Sequence, residues 1–365
     1  MQKLPPPPGC PRTHVFNSSD NNGKVRNSSV ELFRLIAAFY VLVVHWNGWF
    51  VGGMPDSFDL QNISAFRVGQ AFIEALTCVC VNLFLLITGY FGVKLKWQTI
   101  VRIYLLLVSI YIPFYLVSCI KLGEAFSLGA LVDRLFAFSR AGYFVQCYVM
   151  LIFMSPVLNA FIEGKNRSHV LLWTIALASV AGYFDFWLNI SALGFGRGYA
   201  MMHFMLIYMI GRTIFLFKKE LLSISKLFWI VGYFVCTMMI ALMYMYFNMA
   251  FIYSYTCPLV ILSSICFFVP FLYKFFYSPI INWFAKGAFA IYVIQVTNPV
   301  YYKLRIWDKS LLEYFPYPFY WLISLAFASV FMLICILYDK IANYITKPIE
   351  NYIMTKFKFR KLKIS

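Results

Sequence analysis

Residues 30–50 read VELFRLIAAFYVLVVHWNGWF, and this stretch decides the fold. It holds about the 20 predominantly apolar residues that a helix needs to cross a bilayer. It carries three ionisable side chains, Glu31, Arg34 and His45. Nine further stretches of similar apolar character follow, near 71–91, 98–120, 142–162, 169–187, 199–217, 227–247, 251–273, 284–302 and 316–338. The composition agrees: 62% of the 365 residues are hydrophobic, 20% aromatic and only 12% charged, with a mean hydropathy of +0.75. A soluble domain runs nearer ~45–50% apolar and ~25% charged, and its surface cannot absorb such an excess. The apolar runs are continuous and do not alternate every second residue, which argues against a membrane β-barrel. The sequence therefore predicts an all-α, polytopic integral membrane protein of about ten transmembrane helices.

Outside the apolar body the chain divides simply. Residues 1–29 are Pro-, Asn- and Ser-rich and read as a disordered cytoplasmic tail, with no apolar leader expected ahead of the first span. Residues 30–338 form the membrane domain, and 339–365 read as a basic cytoplasmic tail ending in KFKFRKLKIS. Thirty-one Lys and Arg stand against 14 Asp and Glu, a formal net charge of +17. With the N-terminus inside, 21 of the 31 fall on the cytoplasmic side, eight on the outer side, and Arg34 and Arg102 within helices. That asymmetry predicts both termini in the cytoplasm, with the basic charge meeting anionic lipid and not nucleic acid. The nine cysteines lie mostly in apolar runs without CxxC spacing. They read as small buried hydrophobes, and no metal site is expected.

Ionisable groups inside a span are costly and mark function by default. Arg34 and His45 are eleven residues apart, which is three turns plus roughly 20° and about 16 Å along the axis, so both leave one face. A guanidinium near the mouth suits phosphate, and an imidazole deeper in moves protons near neutral pH. Glu31 and Arg34, three residues apart, can pair at the helix start.

The element Arg34-x10-His45, introduced by Glu31-Leu32-Phe33, resembles the signature of the membrane-bound acyltransferase 3 family, the O-acyltransferases of envelope glycans and lipids. Four further stretches resemble family motifs in order: Asn82-Leu83-Phe84 with Thr88-Gly89-Tyr90; Arg102-Ile103-Tyr104; Gly142-Tyr143-Phe144 through Ser155-Pro156-Val157-Leu158-Asn159; and Ala290-Ile291-Tyr292-Val293-Ile294. Two positions depart from the pattern. Thr99 replaces the first arginine of an Arg-x-x-Arg, with Lys94 and Lys96 nearby, and Gln295 replaces a frequent histidine.

The resemblance implies transfer of an acyl group, acetyl first of all, from cytoplasmic acetyl-CoA or another acyl-CoA to a glycan hydroxyl on or near the outer face. The donor is a substrate, with no permanently bound cofactor. His45 is the expected catalytic residue, as general base or as transient acyl carrier. Arg34, Arg102, Lys94 and Lys96 are expected at the donor's phosphates. Glu31, Asn82, Tyr148, Asn159, Arg197, His203 and Gln295 are candidates for the acceptor site or cavity. Polar contacts between helices are the competing role for Asn82, Tyr148, Asn159 and His203. Two rivals remain: a transporter or flippase of a polar lipid-linked substrate that uses His45 and Arg34, and a non-catalytic partner of an envelope synthase.

Overall fold

The computed structural model describes residues 26–50, 53–55, 57–317 and 319–357. Among them the secondary structure is helical, without strands. Eight helices are long and apolar enough to cross a membrane; counting the bent pair Pro279–Gln295 and Val300–Tyr314, which meet at 84°, as one broken span makes nine.

The opening stretch forms α1 (Ser28–His45), capped by the Asn27 side chain, which accepts from the Ser29 amide at 3.0 Å. Beyond His45 the chain widens into a π-helical turn, Trp46–Phe50. Phe33, Ala37, Val41 and Val44 enter one apolar core, while Ala38, Leu42 and Trp46 enter the other. Both sets follow the helical period, so α1 shows an apolar stripe to each side. It is the helix on which the two halves of the bundle meet.

The second apolar stretch begins earlier than 71 and is broken at Cys78–Val79 into α2 (Ala65–Thr77) and α3 (Cys80–Phe91). Thr77 and Cys78 turn their side chains back onto the carbonyls of Ile73 and Ala75, a competing bond that bends helices. Then come α4 (Trp97–Leu122), α5 (Tyr143–Glu163) and α6 (Arg167–Val180), the last running into a π-helical turn, Ala181–Trp187.

The stretch expected near 199–217 is α7 (Met201–Leu216), sixteen residues long and thus about 24 Å, short of the ~30 Å hydrocarbon core. It is largely buried, and protein neighbours stand in for lipid around it. It crosses α3 with the glycines Gly89 and Gly211 at the contact: a Cβ on Gly211 would stand 2.6 Å from the Leu86 carbonyl oxygen and 2.8 Å from the Tyr90 nitrogen.

After α8 (Lys226–Phe247) and α9 (Pro258–Phe268), the expected spans 284–302 and 316–338 are redrawn. The chain makes α10 (Pro279–Ala285) and α11 (Ala288–Gln295), bends, and forms α12 (Asn298–Tyr314). The final helix, α13 (Phe319–Lys356), has 38 residues and continues well past 338. Its extension is held because Asp339, Ala342, Glu350 and Met354 are buried at helical spacing. Residues 339–356 are therefore helix, and 358–365 lie outside the described residues, as do residues 1–25 of the expected N-terminal tail.

Candidate active site

His45 stands where α1 gives way to its π-helical turn, with its ring on a cavity of about 710 Å3. Segments distant in sequence build the walls: Glu74 from α2, Tyr111 and Tyr115 from α4, Tyr143 from α5, Tyr253 and Tyr255 ahead of α9, Tyr292 from α11. Tyr143, Tyr199 and Tyr255 form a continuous aromatic wall, with ring centroids 4.7 and 5.4 Å apart along the row. Loops close the rim with Glu124, Arg134, Arg140 and Arg197. His45 also lines a crevice of about 20 Å3, which shares Tyr143, Tyr255 and Tyr292 with the cavity and is otherwise walled mainly by Val41, Val81, Phe84, Phe144, Ala288 and Phe289. Such a void holds about one water or methyl-sized group. His45, with Tyr143, Tyr255 and Tyr292, thus borders both a roomy cavity of mixed polar and apolar lining and a narrow, mainly apolar slot.

The sequence-predicted residues divide between the two ends of the bundle. His45 and Arg197 line the cavity, and Gln295 lies against the His45 ring without a well-formed hydrogen bond at either amide atom. Asn82 and His203 do not line it. His203 Nε2 meets Asn82 Oδ1 at 2.7 Å, and Asn82 donates to the Tyr255 carbonyl at 3.1 Å. This fully buried pair braces the cavity wall from behind. Tyr148 stacks on Phe144 at 6.0 Å. Asn159 donates to the Val93 carbonyl at 2.9 Å and accepts from the Tyr208 hydroxyl at 2.6 Å, fixing the loop between α3 and α4.

Toward the start of α1, Arg34 donates to Glu31 at 2.5 Å, and Glu31 is also 3.7 Å from Arg26. Arg102 gives Nε and Nη2 to Glu350, which also accepts from Gln98 at 2.7 Å. Lys94 and Lys96 are in the α3–α4 loop. None of these four basic side chains lines the His45 cavity or the slot.

Sequence reasoning passed over Glu74, although a carboxylate inside an apolar run is the same kind of signal as Arg34. Asn47 donates to it at 2.6 Å and to the Gln70 carbonyl at 3.1 Å. Gln70 returns a bond from Nε2 to the Asn47 carbonyl at 3.3 Å and accepts from Arg67 at 2.6 Å. The π-helical turn after His45 is thereby clamped to α2. Glu74→Ala removes the clamp's carboxylate, and turnover is expected to fall about tenfold or more, from misplacement of the imidazole. Asn47→Ala should do much the same, and the double variant should add little to either. Steady-state rates on the three purified variants check this; fully additive losses would refute the clamp.

A family model described as an acyltransferase domain matches residues 27–339. The chain belongs to the acyltransferase 3 family. In this acyltransferase 3 protein the matched region runs from the cap of α1 into α13 and takes in His45 with every segment that walls its cavity. Neither the curated proteins nor the solved structures give a match. Family and fold together describe a multi-pass membrane acyltransferase.

Proposed function

We propose that the protein is an O-acyltransferase, acetyl-specific by preference, that moves an acyl group from cytoplasmic acyl-CoA to a hydroxyl of an envelope glycan or glycolipid, at His45 in the cell's inner membrane. The observation that carries this reading is that His45 borders both the large cavity, with tyrosine, arginine and carboxylate side chains in its wall, and the small, mainly apolar slot. The acceptor enters from the cavity and the acyl-thioester arm from the slot side. An imidazole nitrogen takes the acceptor hydroxyl's proton as its oxygen attacks the thioester carbonyl. The carbon–sulfur bond then breaks, and the leaving thiolate takes that proton to depart as the CoA thiol. A transient acyl-imidazole formed before the hydroxyl attacks is the two-step form of the same chemistry.

Several features support the specificity. Tyrosine faces with polar edges suit a sugar ring, and the small slot volume suits a two-carbon acyl group. Arg34, Lys94, Lys96 and Arg102 lie at the end expected to meet the donor's phosphates. Glu350 holds two of the Arg102 nitrogens, leaving Nη1 for phosphate.

The test has two arms. Purified protein in liposomes is given acetyl-CoA with surface glycan from a deletion strain, and free CoA and alkali-labile ester are measured. Both should rise together and require the protein. Ester unchanged by deletion, with no CoA released in the liposomes, sinks the reading and favours a transporter.

A further inference from the structure

Three arginines reach the cavity rim, and their environments differ. Arg140 is ion-paired with Asp133. Arg134 donates to the Ala130 carbonyl at 2.7 Å and lies over the Tyr115 ring at 3.9 Å. Arg197 has no carboxylate partner among the described residues, and its Nε is buried without a hydrogen bond. Its guanidinium lies 5.6 Å from the Phe251 ring centroid and lines the cavity.

The position is built with care. Arg197 is held in the left-handed region, at φ +54°. Asp185, 1% exposed, accepts from its backbone N–H at 2.9 Å and from the Thr256 hydroxyl at 2.8 Å. Tyr255 donates to its carbonyl at 3.2 Å. The next residue, Gly198, has φ +101° and lies so close to Tyr255 that a Cβ would stand 2.9 Å from Cδ2. A buried carboxylate is therefore committed to the main chain of Arg197, and the side-chain charge is left to the cavity. Of the acids in the lining, Glu74 is engaged by Asn47 and Glu124 sits exposed at the rim. A partly buried charged donor without a partner is unfavourable until an anion arrives.

We propose that the acceptor is an acidic glycan, and that Arg197 binds its carboxylate or phosphate group and so presents the hydroxyl to His45. The transfer step rests on the acyltransferase reading, whereas the anion site stands without it. Guanidinium recognises both kinds of anion by paired donors.

The experiment is thermal stabilisation of the full-length protein in detergent. The probes are oligogalacturonate, a glycerol-phosphate oligomer and neutral maltohexaose, each titrated separately. At least one anionic probe should stabilise the wild type and maltohexaose should not; which anion acts identifies the acidic group. Arg197→Gln should weaken that binding about tenfold or more, and Arg197→Lys, which keeps the charge, should retain part of it. Should the glutamine variant fail to fold, the lysine variant and the charge selectivity of the wild type still decide the question.

Equal stabilisation by maltohexaose, no stabilisation by either anion, or undiminished binding by Arg197→Gln overturns the proposal. Acetyl-CoA titrated in parallel is the control: a loss in Arg197→Gln confined to acetyl-CoA also overturns the proposal and would make Arg197 a donor-phosphate residue. Absence of CoA release by the wild type would instead sink the acyltransferase reading and leave the anion result standing.

Discussion

Protein carrying His45→Ala is expected to accumulate in the membrane and elute as a folded species, yet to lose acyl transfer by roughly 10²–10⁴-fold, the usual contribution of a positioned acid–base group. The ring borders two voids, so its removal should enlarge a cavity and not collapse a packed interface. His45→Gln sharpens the test, because glutamine hydrogen-bonds but does not titrate. It should be as inactive as alanine. CoA release and ester formation, measured on matched amounts of monodisperse protein, give the answer. Near-normal rates in either variant would remove His45 from the chemistry and favour the non-catalytic reading.

Gly211→Leu acts at the other extreme and should leave little folded protein at all. The atoms that a side chain would meet at this crossing are the Leu86 carbonyl oxygen and the Tyr90 nitrogen. These are backbone atoms inside α3 and cannot rotate aside. The α3–α7 crossing would have to open, at a cost on the order of 3 kcal/mol or more by comparison with other overpacked cores. That is a large share of the ~5–15 kcal/mol that keeps a domain folded. Close glycine contact is also what drives helix association where the surrounding solvent is itself apolar. Gly211→Ala should be intermediate, and Gly129→Ala, where a Cβ meets only the Ser127 hydroxyl at 3.6 Å, should behave as wild type. The monodisperse fraction after extraction measures all three, and normal yield of the leucine variant would contradict the packing.

Hydropathy alone locates nearly all the apolar helices, because a bilayer filters for length and composition before tertiary contacts matter. The two stripes of α1, and the position of His45 near its end, are likewise local properties, readable at about 100° per residue. What stays hidden depends on distant partners. Glu350 lies 248 residues from Arg102 and His203 lies 121 from Asn82, and nothing in either neighbourhood announces the pairing. The extension of α13 is masked by Asp339, Lys340 and Lys347, which read as tail; one of them, Asp339, is buried against neighbouring helices. The cavity belongs to no segment, since it exists only where several of them meet. Glu74 is the exception: its signal is present locally and needs only the rule that picks out Arg34.

The slot beside His45 also has an electrical consequence. A roomy, water-accessible cavity carries the bath potential down to the imidazole, while the packed protein beside it, with only a one-water void walled by Phe84 and Phe289, behaves as an insulator. A membrane voltage then falls across the protein between the cavity floor and the opposite face, and not across the whole bilayer. Any net charge displaced across that protein layer, a proton included, exchanges about 2.3 kcal/mol with the field for every 100 mV. Turnover in sealed vesicles should therefore respond to an imposed potential to the extent that charge moves between the cavity and the opposite face with the acyl group.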